Sequence, residues 1–203
     1  MAEYARFSRN WTGPRCELLL GRATEFPEYY PEGGAFSALY LAQIGHDNEA
    51  KEVLKRNVLE RPAAGDATPI NNDIAYLEAA LIIKYEDVIE RLSTRLAENT
   101  PGHIAGGYGP CPQRILGASA TFLGKYKEAR DHYIESIKMS TIIKSRPEIA
   151  LTRLQLAELL LEHYPAEKKE ALEHLDFAIK EFREMKMQPS LERALRHKEI
   201  LKA

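Results

Sequence analysis

The sequence predicts an all-α chain built from about four helical hairpins and a terminal helix. Three observations carry that reading. "KEARDHYIESIK" (127–138) returns 42 residues later as "KEALEHLDFAIK" (169–180), with six identities in twelve positions. Pro147 and Pro189 are also 42 apart, and each opens a new helical pattern. Weaker copies upstream extend the series to Ala50, Val88, Ala129 and Ala171, spaced by 38, 41 and 42 residues. A hairpin with one apolar side cannot bury it alone, so a regular series of hairpins must stack.

The elements follow in order. "GAFSALYLAQI" is an apolar helix that ends at Gly45, and "GHDNEAKEVL" returns from it. Pro62 follows Ala50 by twelve residues and closes this first unit. "NNDIAYLEAALI" and "KYEDVIERLSTRL" form the second hairpin, with Val88 in place of the alanine. "CPQRILGASATFL" and "KEARDHYIESIK" form the third. In its second helix Ala129, Tyr133 and Ile137 recur at i, i+4, i+8 and draw an apolar stripe, with Glu128, Arg130 and Asp131 between them. "RPEIALTRLQLAELLL" and "KEALEHLDFAIK" form the fourth, where Ala171, Leu175 and Ile179 repeat the stripe, joined by Ala178 and Phe182. Small residues at Ala38 and Gly117 mark places where two helices can approach closely. Proline suits a first helical turn, where its missing N–H is not needed. "SLERALRHKEIL" then caps the exposed end of the stack. Residues 1–32 read as a lead-in segment and residues 33–203 as the repeat domain.

The order Leu116-Gly117, Ala120, Gly124, Tyr126, Ala129, Tyr133 resembles the tetratricopeptide repeat. The departures are Ser136 for the usual alanine, Thr141 for the usual proline, a two-residue lengthening of the last turn at "EHYPAEKK", and periods above the usual repeat of about 34 residues. The second half of the chain, from "GGYGPCPQRILGASATFLGKYKEARDHYIESI" onward, is similar to the helical-repeat region of bacterial multidomain ATPase-type transcriptional regulators and class III adenylyl cyclases. The resemblance implies a right-handed α-solenoid whose first helices line a concave face. It also implies a protein- or peptide-binding or sensor module of bacterial signal transduction or transcriptional regulation. Carried across the repeat, that face includes Asp73, Leu77, Arg114, Ala118 and Glu158. Arg114→Glu is then expected to weaken partner binding and leave helical content unchanged.

Composition bounds the alternatives. The 203 residues are 44% hydrophobic and 29% charged, with a formal charge of -2, so no basic footprint for nucleic acid is present. The two cysteines, Cys16 and Cys111, fit no disulfide framework or metal spacing, which favours a reducing cytoplasm. No apolar run approaches the roughly 20 residues of a membrane span. "GHIAGGYGPCP" (102–112) is glycine-rich but matches neither phosphate-binding fingerprint. It reads as an inter-hairpin connection, with Tyr108 at the edge of a pocket. The alternative function is a small-molecule sensor whose effector sits beside this loop; an enzyme on a helical scaffold ranks third. Cys111 and His103 suggest a nucleophile and base, but nothing in the sequence brings them together. His132 and His174 occupy equivalent repeat positions, and no motif gathers metal ligands. The reading is therefore non-catalytic, with no cofactor and no metal.

Overall fold

The computed structural model describes residues 34–61, 68–99 and 111–200. All regular structure among them is helical: nine α-helices, a π-helical segment and a 3-10 turn, the α-helices packing mostly with their sequence neighbours. The expected lead-in, residues 1–32, lies outside the described residues. The chain divides into two compact units, Met1–Pro101 and Gly102–Ala203.

In the first unit, α1 (Gly34–Ile44) turns at Gly45 into α2 (Asp47–Leu54), which a π-helical segment, Lys55–Leu59, prolongs. α3 (Ile70–Ile83) and α4 (Glu86–Asn99) form the next hairpin. α3 packs against α1, α2 and α4. That encirclement explains a helix apolar on nearly every side, since Asn72–Leu77 and Ala79–Ile82 are all buried. α4 is amphipathic and buries only Val88, Ile89, Leu92 and Leu96. Its Arg91 donates to the Leu59 carbonyl at 3.1 Å and the Arg61 carbonyl at 3.3 Å, serving carbonyls that the end of a helix leaves open.

In the second unit, α5 (Pro112–Phe122) pairs with α6 (Tyr126–Ile142). α7 (Arg146–His163) pairs with α8 (Lys168–Glu184), and α9 (Gln188–Ile200) closes on both. A 3-10 turn, Pro165–Glu167, absorbs the two extra residues of "EHYPAEKK". One cluster of core residues joins Ala120, Ala129, Tyr133, Leu156, Leu160 and Ala171 across α5 to α8. A second joins Ala150, Leu154, Leu175, Phe182 and Ala194 across α7, α8 and α9. The helix at the C-terminal end thus covers the apolar side of the last hairpin, as expected of it.

The reference positions Ala50, Val88, Ala129 and Ala171 are all 0% exposed. Gly117 sits where α5 and α6 meet: a Cβ there would lie 2.6 Å from the Tyr133 ring. Ser136 is fully buried and meets the Thr152 hydroxyl at 3.0 Å, a polar contact between α6 and α7. Thr141 lets α6 run on to Ile142, its hydroxyl donating back to the Ile137 carbonyl at 2.7 Å.

Five helices stop in one way. Gly45, Lys84, Gly124, Lys144 and Lys186 adopt positive φ, from 57° to 88°. The next residue's N–H then reaches back to the carbonyl five positions earlier: His46 to Leu41, Tyr85 to Ala80, Lys125 to Ala120, Ser145 to Ser140, Met187 to Phe182, all at 2.8–2.9 Å. These are left-handed caps of the Schellman type. Glycine fills two of them, as its freedom at positive φ favours, and lysine fills the other three.

Candidate functional site

The residues expected on the binding face divide between the two units. In the first, Asp73 lies in the first turn of α3 and is 2% exposed. Arg95 of α4 brings its Nε to 2.8 Å from Asp73 Oδ2 and donates from Nη2 to the Thr68 carbonyl at 3.4 Å. Leu77, one turn on, is completely enclosed. Asp73 therefore braces one helix against the next, and Leu77 is core.

In the second unit Arg114 is 4% exposed. Glu148, in the first turn of α7, grips it through two bonds: Nε donates to Oε2 at 2.8 Å and Nη2 to Oε1 at 3.3 Å. The same Oε2 accepts the backbone N–H of Cys111 at 3.0 Å. Cys111 is the residue before α5, so this carboxylate also caps that helix, where a negative charge is favoured. Ala118 is buried on the same helix. With Glu148 so close, Arg114→Glu sets two carboxylates against each other in a desolvated contact. The substitution therefore tests the packing of α5 on α7 rather than a groove.

Glu158 of α7 is held from α9. Arg193 donates from Nε to Oε1 at 2.6 Å and from Nη2 to Oε2, and His197 Nε2 lies 3.0 Å from Oε1. Burial by itself would raise the carboxyl pKa, but the Arg193 charge and the His197 and Arg193 hydrogen bonds overcome it and hold the pKa at about 2. Arg114–Glu148 and Arg193–Glu158 thus link α5 to α7 and α7 to α9, the line of first helices.

Tyr108 and most of the "GHIAGGYGPCP" loop lie outside the described residues, as does His103. Cys111 is buried, 4% exposed. No cluster of three or more His, Cys, Asp or Glu able to hold a metal occurs among the described residues, and no described helix is long and apolar enough to cross a membrane.

The equivalent histidines are placed alike but partnered differently. His132 Nδ1 lies 2.7 Å from Gln113 Oε1, and Glu128 stands 3.7 Å from its other nitrogen. His174 repeats the carboxylate, with Glu170 at 3.7 Å. At the position equivalent to the glutamine α7 carries Arg153, whose guanidinium carbon lies 4.2 Å from the centre of the Phe177 ring. Burial lowers both histidine pKa values, and for His174 the Arg153 charge lowers it further. Sequence reasoning missed Arg153. The signal was available: aligning Leu116-Gly117 with Leu156-Ala157 sets Arg153 opposite Gln113.

Compared with known proteins, the chain matches no family model, and no curated protein or solved structure is significantly similar to it.

Proposed function

We propose that this chain is a non-catalytic interaction or sensor module of bacterial signal transduction or transcriptional regulation, a tetratricopeptide-like stack that holds a protein or peptide on the face of its first helices. The observation that carries the reading is the bracing of those helices by buried arginine–carboxylate bridges, Arg114–Glu148 and Glu158–Arg193. A surface whose supports are locked before the partner arrives loses little freedom on binding, which favours affinity. The side chains available for contact are then the half-buried ones between the braces, Ile149 and Arg153 on α7 among them.

The test is affinity capture from a bacterial lysate with the purified chain, beside an Ile149→Lys variant whose circular dichroism is checked. Specific retention of a protein that the variant loses at unchanged helicity is the expected result. A chain that retains nothing above the resin background, while a metabolite raises its melting temperature, overturns the protein-binding reading in favour of a small-molecule sensor.

A further inference from the structure

The arginines that join helices in the second unit are matched to carboxylates. Arg114 has Glu148, Arg130 has Glu167 and Glu170, Arg146 has Glu181 and Glu184, and Arg193 has Glu158. Arg153 departs from the pattern. It is half-buried against Phe177, and its Nε is shut away from water with no hydrogen-bond acceptor among the described residues. His174, one turn before Phe177, has a buried Nδ1 with no hydrogen-bond partner among the described residues. In the preceding hairpin the equivalent nitrogen of His132 is satisfied by Gln113 at 2.7 Å. One repeat therefore closes this position internally, and the next leaves the Arg153 guanidinium there without an acceptor.

A buried charged donor without an acceptor costs upward of about 1–3 kcal/mol, so the half-buried Arg153 guanidinium gains when an acceptor reaches it from outside. The surroundings limit what that acceptor can be. Glu170 stands 3.7 Å from His174 Nε2, and the Glu173 charge is also felt at the imidazole. Two flanking carboxylates oppose a dianion such as phosphate, whereas one guanidinium matches one carboxylate. The formal charge of -2 and the lack of a basic cluster argue against a nucleic-acid backbone. The Phe177 ring beneath the guanidinium offers apolar contact beside the charge, a combination suited to a peptide side chain.

We propose that Arg153, seated on Phe177 beside His174, is a docking subsite for one side-chain carboxylate of an acidic peptide segment in a partner protein. The proposal rests on the interaction-module reading above and names the chemistry of its partner.

The test is a nuclear magnetic resonance titration of the isotope-labelled chain, following the Arg153 Nε–H and His174 ring signals. Three probes are added in turn: an N-acetylated decapeptide of alternating Glu and Leu, sodium succinate, and inorganic phosphate. The peptide is expected to shift both signals saturably, and Arg153→Gln to weaken it by about tenfold, the loss of one charge-assisted contact. That variant copies the Gln113–His132 arrangement, so the chain is expected to keep its fold and melting temperature. Equal peptide affinity in Arg153→Gln, or peptide shifts that bypass Arg153, overturns the proposal. Saturation by succinate or phosphate with the peptide silent overturns it too, since the occupant is then a small anion. A partner captured from lysate equally well by Arg153→Gln removes this subsite and leaves the module reading standing, whereas peptide binding at Arg153 without any captured protein does the reverse.

Discussion

Lys84, Lys144 and Lys186 carry a conformation that L-residues avoid, with φ of 57–58°. The left-handed region costs a residue with a Cβ about 1–2 kcal/mol, part of which glycine gives back through its freer unfolded chain. All three side chains are exposed, so replacing them sacrifices no packing. Each Lys→Gly change is expected to stabilise the protein by roughly 0.5–1 kcal/mol, read as a higher urea midpoint at unchanged slope. Gly117 responds the other way. Its missing Cβ is what admits the Tyr133 ring, and Gly117→Ala is expected to cost about 1–3 kcal/mol. A parallel Gly124→Ala control meets no atom within 4 Å and suffers backbone strain alone. Gly117 was legible in the sequence because a small residue recurs at that repeat position. The three lysine caps were not: nothing about a lysine announces positive φ, and only the hydrogen bond closing behind it reveals the turn.

Between elements, the bridges decide. Removing one partner of a buried ion pair strands the other, at a cost of about 3–5 kcal/mol. Arg114→Met is expected to lose stability on that scale, and Arg114→Met with Glu148→Leu to regain most of it, a coupling that a double-mutant cycle in urea measures. Glu158 adds a dependence on acid. Its folded pKa of about 2 lies below its ordinary 4.5, so its contribution is complete above pH 4.5 and disappears as the pH falls toward 2. The shift corresponds to on the order of 3 kcal/mol. Urea midpoints taken down that range are expected to fall more steeply in the parent than in Glu158→Gln. Helix periodicity disclosed which of these residues share a face with first helices. It said nothing of Glu148 and Arg193, because each pair joins residues 34 or 35 apart, and a charge on a helix looks the same whether water or another helix faces it.

At the scale of the molecule, helix content and pairing order were readable, since four stripes at near-regular intervals leave few other ways to hide apolar surface. The division near Pro101 was not. The 41-residue interval from Val88 to Ala129 spans it, with no change of period to mark it. Acid sensitivity also gathers at this scale. His132 and His174 are held neutral mainly by burial, their folded pKa values lying below the ordinary 6.5. Their contribution is intact above that value and declines as the pH falls through the lower folded values. Thermal melts are therefore expected to soften in two stages on acidification, the first below pH 6.5 from the histidines and the second below pH 4.5 from Glu158. His132→Gln with His174→Gln removes the first stage and spares the second.

The closing helix α9 has a mechanical consequence. It is tied to its neighbours by Arg193, His197 and Lys198, and by the Ala194 face laid on the second cluster of core residues. Tension applied at the C-terminus loads those ties before any others in the second unit. An optical-tweezers trace is expected to show a small first step of about one helix, then the α7–α8 hairpin, a peeling sequence in place of a single rupture.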